Sequence, residues 1–333
     1  MKKDQDPAEI ASPPQKPSRE YRVYPELIER CRALEPVSTA VAHPCDESSL
    51  TAAVEAAEAN LIRPTLVGPE ARIRAVAEQC RLDIRPYRLI DAPHSHASAA
   101  KAVEIVREGQ AETLMKGSLH TDELMAEVVR KDTGLRTERR ISHVFIMDVP
   151  TYPKPLAVTD AAINIFPDLE TKVDIVQNAI DMGHALGRER PKVAILSAVE
   201  TVTPKIPSTI DAAALCKMAE RGQITGALLD GPLAFDNAIS KEAAAIKGIR
   251  SEVAGDPDIL LVPDLEAGNM LAKQLSFLAN ADAAGIVLGA RVPIILTSRA
   301  DTVRARMASC AVAVLLAHAR RHEAGAVAGG TGR

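Results

Sequence analysis

Short β-branched runs alternating with longer stretches of helical periodicity constrain this chain more than any other feature. Val37–Ala42, Thr65–Val67 and Thr113–Met115 read as buried strands. Each is followed by apolar residues at helical spacing, in Ser48–Asn60, Glu70–Gln79, Ala97–Glu108 and Thr121–Arg130. Parallel strands need a crossover between them, normally a helix, so this rhythm predicts an α/β fold with a mainly parallel sheet. It resumes beyond a basic, turn-like segment at Gly134–Thr137. Strands are expected at Ser142–Met147, Lys192–Leu196, Ala227–Asp230, Ile259–Val262, Gly285–Leu288 and Val292–Leu296. Helices are expected at Leu169–Leu186, Ser208–Arg221, Ser240–Ile249, Ala267–Ala279 and from Thr302 to about Arg320.

Composition limits what such a sheet can serve. With 333 residues there is room for two domains of ordinary size. The chain is 47% hydrophobic yet only 2% aromatic, so its core is built from Ala, Val, Leu and Ile, and stacking platforms for bases are not expected. A formal net charge of −4 with dispersed Lys and Arg offers no basic stripe, so no nucleic-acid partner is expected. The five cysteines are odd in number and lack C-x-x-C spacing, which suggests neither a disulfide framework nor a zinc site and fits a reducing cytoplasm. Residues 1–20 are polar and proline-containing, as in a disordered lead or linker, and the Gly-rich Gly325–Arg333 reads as a mobile tail. No apolar run reaches bilayer-spanning length, so no membrane partner is expected.

In open α/β sheets, ligands gather at the carboxyl ends of strands. Here those ends carry small or acidic turns: Ser197-Ala198, Asp230-Gly231-Pro232, Pro263-Asp264 and Gly289-Ala290. The chemical centre is expected at Thr297-Ser298-Arg299-Ala300-Asp301, where a strand gives way to the last helix. A helix N-terminus presents unpaired N–H groups and partial positive charge, and the hydroxyl of Ser298 with the guanidinium of Arg299 would complete a phosphate pocket. The same Ser-x-x-Asp spacing is also that of a capping box, with Arg299 a surface charge. Lys116-Gly117-Ser118-Leu119-His120-Thr121 repeats the theme, either as a second phosphate loop or as an ordinary turn capped by Thr121. Ser208, behind Lys205, can likewise be a cap, and Arg136, Arg139 and Arg140 are either a solvated face or a partner for coenzyme phosphates. No P-loop, G-x-G-x-x-G, G-x-S-x-G or H-E-x-x-H motif occurs, which argues against kinases, simple hydrolases and zinc peptidases.

Several ordered blocks, Leu114-Met-Lys-Gly117, Asp230-Gly-Pro-Leu-Ala-Phe-Asp236, Glu252-Val-Ala-Gly255, Pro263-Asp-Leu-Glu-Ala-Gly-Asn269 and Ser298-Arg299, resemble the phosphate acetyltransferase and phosphate butyryltransferase family. The resemblance spans about residues 25–320 and is strongest to the transferase portion fused behind an enoyl-CoA hydratase-like domain in some bacterial proteins. It implies a two-domain α/β/α fold similar to the isocitrate and isopropylmalate dehydrogenases, with the active site in the interdomain cleft. The implied first domain is 20–138 with 288–325, and the second is 139–287. A homodimer is the implied assembly. The implied reaction is acyl-CoA + phosphate ⇌ acyl phosphate + CoA by direct transfer, with an acetyl or short-chain (butyryl) group, coenzyme A as substrate, and no cofactor or metal. A non-catalytic acyl-CoA-binding regulatory module is the alternative.

The resemblance implies catalytic roles for Ser298 as a donor to the carbonyl oxygen and Arg299 as a fork on phosphate. The family's aspartate base falls at Ala305 here, which leaves Asp301 as the nearest carboxylate, and an arginine of the family falls at Ala126. Substrate contacts are expected from Lys116, Gly117, Ser118, His120, Thr121, Arg136, Lys205, Ser208, Asp230, Gly231, Asp264, Asn269 and Gly289.

Overall fold

A computed structural model of the chain describes residues 23–296 and 301–330, the side chains of 23 and 323–330 excepted. The expected lead at 1–20, the end of the tail at 331–333, Ser298 and Arg299 lie outside the described residues. The first stretch runs α1 (Val23–Cys31), β1 (Val37–Ala42), α2 (Glu47–Glu58), β2 (Ile62–Gly68), α3 (Glu70–Gln79), β3 (Arg88–Asp91), α4 (Ser95–Arg107), β4 (Thr113–Lys116) and α5 (Thr121–Val128). Then follow β5 (Ser142–Asp148), β6 (Leu156–Thr159), α6 (Leu169–Ala185), β7 (Lys192–Leu196), α7 (Pro207–Glu220), β8 (Leu228–Leu233), α8 (Phe235–Ile239), α9 (Lys241–Ile246) and β9 (Ile259–Leu261). The chain closes with α10 (Leu265–Leu278), β10 (Asp282–Leu288), β11 (Ile294–Ile295) and α11 (Val303–Gly330).

All 11 strands join one sheet in the order β3-β2-β1-β4-β11-β10-β5-β6-β9-β7-β8. Pairs within the first block (β3, β2, β1, β4, β11) and within the last (β6, β9, β7, β8) are parallel. Between them, β10 runs antiparallel to both β11 and β5, and β5 runs antiparallel to β6. The two parallel blocks therefore point in opposite senses, so their carboxyl ends lie at opposite ends of the sheet.

Three differences from the sequence expectation have local causes. The strands β3 and β6 were not anticipated: β3 is a half-exposed edge with charged ends, and β6 has only four residues behind two prolines. Neither writes an apolar run of ordinary strand length. The expected strand Val292–Leu296 shrinks to Ile294–Ile295, because Pro293 has no N–H to give to a ladder. Finally, α11 continues to Gly330 rather than stopping near Arg320, so the tail expected from Gly325 onward is largely helical.

The layers follow from the alternation of side chains along each strand. Val144 and Ile146 of β5 with Ala284 and Ile286 of β10 face one core, shared with buried residues of α1, α2, α6, α7 and α11. That cover is continuous across both blocks. On the opposite face it splits in two: α4 and α5 pack on Leu114, Ile294 and Val287, while residues of α8, α9 and α10 pack with Met147, Val158 and Leu260. The divide between these clusters runs over His143 and Gly285, which belong to neither. Tyr24 of α1, fully buried, donates its hydroxyl to the Ile146 carbonyl at 2.8 Å, which removes the cost of an unpaired polar group in the core.

Candidate active site

The carboxyl ends of β1, β4 and β11 stand side by side, since Ala42 lies opposite Lys116 and Met115 opposite Ile295. The described chain leaves Leu296 beside this group and resumes at Asp301. Thr302 caps α11, its hydroxyl accepting the Ala305 N–H at 3.1 Å. Among the described residues the cap of this helix is thus Thr302; Ser298 lies outside them. Arg306 fastens the helix start by donating to the Ser48 carbonyl and hydroxyl at 2.6 and 2.9 Å and to the Asp301 carbonyl at 3.0 Å. Arg304 pairs with Asp282 at the head of β10. The described backbone on either side of residues 297–300 is therefore tightly held.

The neighbouring turn after β4 is held by its own contacts. A Cβ on Gly117 would stand 2.4 Å from the Ala42 carbonyl oxygen and 2.5 Å from that of His43, so only glycine lets the two turns touch. Gly117 N–H donates to Ala42 at 2.8 Å, and both the N–H and the hydroxyl of Ser118 donate to the His43 carbonyl at 2.9 Å. The Ser118 hydroxyl also accepts the Cys45 N–H at 3.2 Å, so it stitches two turns together. Lys116 donates to the Gly117 carbonyl at 3.2 Å. His120, exposed, is the residue before α5 and makes no side-chain cap, and the exposed Thr121 is the first helical residue rather than the cap. Asp122 and Glu123 already complement the helix dipole, so charge for an anion must come from Lys116 and arginine instead.

The structure adds His43, which no local pattern marked. It follows β1, is 7% exposed and adopts a positive φ of 57°. Its Nδ1 lies 3.0 Å from the Ser98 hydroxyl at the start of α4. Burial lowers its pKa, and the charge of Arg72 adds to this, while Glu123 and Asp46 pull the other way. Close by, Glu123 Oε1 stands 3.6 Å from His96 Nε2, and its other oxygen is buried without a partner among the described residues.

A second sequence-silent histidine sits at the divide. His143 is 1% exposed, its ring lies edge-to-face on Phe145 at 4.3 Å, and burial pushes its pKa down to about 3. A Cβ on Gly285 would meet the Leu296 carbonyl oxygen at 2.8 Å and His143 Nε2 at 3.0 Å, so glycine is needed where β10 passes the end of β11.

The other expected residues do not join this group. Arg136, exposed, bridges Ala290, and Gly289 lies under the Arg140 carbonyl, both at the far end of β10. By register Ala290 is four residues from Ile286, the partner of Ile295 at the end of β11, on the order of 13 Å along a strand rising ~3.3 Å per residue. Asp264 caps α10 by accepting the Ala267 N–H at 2.9 Å, and Asn269 donates to the Ala161 carbonyl at 3.2 Å. Ser208 lies inside α7, whose first turn begins at Pro207, and shares a hydrogen bond of 2.8 Å with Ser197. Asp230 accepts the Gly231 N–H at 2.9 Å, Gly231 presses on Ile195, and Lys205 is exposed before α7. These lie at the carboxyl ends of the second block, which face away from those of the first. Among the described residues, no three or more His, Cys, Asp or Glu side chains are arranged to hold a metal ion.

Comparison with known proteins places this geometry among relatives. A family model described as Phosphate acetyl/butaryl transferase matches residues 95–314. A phosphate acetyltransferase of Rhizobium meliloti is 68% identical over 308 residues, covering 92% of this chain and 96% of the other. A phosphate butyryltransferase of Clostridium acetobutylicum is 41% identical over 292 residues, covering 88% and 97%. Among solved structures, a branched-chain phosphotransacylase from Enterococcus faecalis superposes with a TM-score of 0.74 at 30% identity, covering 85% of this chain and 99% of that one.

Proposed function

This chain belongs to the phosphate acetyl/butyryl transferase family, and from that premise we propose that it exchanges an acyl group between coenzyme A and inorganic phosphate, with acetyl preferred over butyryl. The observation that carries the acetyl preference is the 68% identity to a phosphate acetyltransferase, against 41% to a butyryltransferase. Arg299 and Lys116 hold the phosphate, and Ser298 donates to the carbonyl oxygen as negative charge gathers on it. Gly117 and Ser118 set the backbone against which phosphate is aligned with the thioester, so that the reacting atoms meet without further search. The reacting centre is confined to the carboxyl ends of β1, β4 and β11. Residues at the opposite end, Asp264 and Ser208 among them, have their polar groups committed to holding turns.

Within this reading, residues 20–138 and 288–325 form the first domain and 139–287 the second, and the enzyme acts as a cytoplasmic homodimer. Five cysteines, all free thiols, suit a reducing compartment, and no helix among the described residues is long and apolar enough to cross a membrane. Phe277 and Leu278 on α10 are 81% and 85% exposed, with Met270 two turns earlier, an apolar row that a second copy of this chain would cover. Sedimentation should give a dimer that Phe277→Glu dissociates. The test of the activity is thiol release from acetyl-CoA, propionyl-CoA and butyryl-CoA. Release only with phosphate present supports acyl transfer, and acyl-CoA binding without release would support the regulatory alternative.

A further inference from the structure

The family's aspartate position is Ala305, buried at 4% on α11, so the proton that passes between phosphate and sulfur needs another carrier. Resting on the acyl-transfer reading above, we propose that His43 is the catalytic base of this enzyme and that Ser98 is its positioning residue. The hydrogen bonds fix the tautomer. Ser98 has one hydroxyl proton and donates it to the His94 carbonyl at 2.9 Å, so at 3.0 Å its oxygen can only accept from His43 Nδ1–H. In the neutral ring the lone pair is then on Nε2, which makes no hydrogen bond with the described residues. A hydroxyl here holds the imidazole as a carboxylate does in a catalytic triad, but without adding charge.

Position and backbone agree with this role. The His43 carbonyl accepts both Ser118 bonds, so the ring is carried on the same stitched pair of turns as Lys116 and Gly117. Its positive φ is a conformation that costs energy in most residues and recurs at functional sites. In the acyl-phosphate-forming direction, Nε2 takes the proton of HPO4²⁻ as the phosphate oxygen forms a bond to the thioester carbon. Collapse of the tetrahedral intermediate breaks the C–S bond, and the proton passes from Nε2 to the leaving sulfur. The products are acyl phosphate and CoA thiol, and the ring returns neutral. The charged and titratable groups that act on the ring are Arg72 at the start of α3, Asp46 before α2, His94 before α4 and Glu123 on α5.

The test uses the full chain. His43→Asn keeps a residue type that tolerates positive φ, and His43→Gly removes the ring entirely. Both are expected to lower kcat about 10²–10³-fold with KM for phosphate within about threefold. Imidazole at tens of millimolar should restore His43→Gly and leave Arg299→Ala unchanged. Ser98→Ala, which removes the acceptor of Nδ1–H, should cost about tenfold in kcat and shift the acid limb of the pH–rate profile to lower pH. An active wild type with a folded His43→Asn that keeps its kcat, or a His43→Gly indifferent to imidazole, overturns the assignment alone. Wild type that releases no thiol with phosphate overturns the acyl-transfer reading and this assignment together.

Discussion

The turn from β4 into α5 and the turn from β9 into α10 are both short, and both stand at the carboxyl end of a buried parallel strand. In the second, the Asp264 side chain turns back to cap its own helix. In the first, no side chain caps the helix, and Ser118 reaches sideways to the turn after β1. One turn closes on itself and serves stability. The other is bound to a neighbouring turn, which leaves Lys116, the start of α5 and His43 grouped where β11 ends. Because the two parallel blocks run in opposite senses, only the first lies at the same end of the sheet as the junction into α11.

Four changes would break or sharpen that contrast. Arg299→Ala, in the segment that follows β11, is expected to abolish phosphate-dependent thiol release, a loss of about 10³-fold or more, as for removal of a charged transition-state donor. Retained activity would move the phosphate site elsewhere. Gly117→Ala forces a Cβ onto the Ala42 and His43 carbonyls and should lower kcat about 10–10²-fold by displacing Lys116 and His43 together. Full activity there would show that the stitched turns are not needed for chemistry.

At the divide, His143→Leu probes a ring kept neutral by burial. Its folded pKa of about 3 lies below the ordinary 6.5, so the unfolded chain binds a proton that the folded one does not. Stability should therefore fall as pH drops from 6.5 toward 3, by at most about 1.4 kcal/mol per pH unit. The leucine variant should lose that part of the slope in urea titrations. The smallest effect is expected at the contrasting turn, where Asp264→Ala should cost about 1 kcal/mol in thermal or urea unfolding, the worth of an N-cap, with kcat unchanged. A large loss of kcat there would return Asp264 to the substrate site.

Much of the architecture is legible in particular segments. Val37–Ala42, Ser142–Asp148 and Lys192–Leu196 sit where their β-branched runs place them, because a strand covered on both faces must be apolar throughout. The Lys116–Thr121 loop is also visible, since a strand end, a glycine and a helix start follow in order. His43 is not, because what fixes its tautomer is Ser98, which arrives from a helix 55 residues away. Asp230 and Asp264 resemble site residues in the sequence, and only the structure shows Asp230 inside β8 accepting the next N–H and Asp264 capping α10.

By itself the sequence determined the α/β class, the apolar core without Trp, most of the strands and helices, and the family resemblance that names the chemistry. Tertiary structure alone decided which strand ends face the same way, which glycines allow backbones to touch, and which histidine is held through Nδ1 by a distant serine. The reason is physical. Hydrophobic periodicity records whether a residue is buried, and a strand reads the same in either direction. Strand sense, side-chain partners and tautomers are settled only when segments distant along the chain pack against each other.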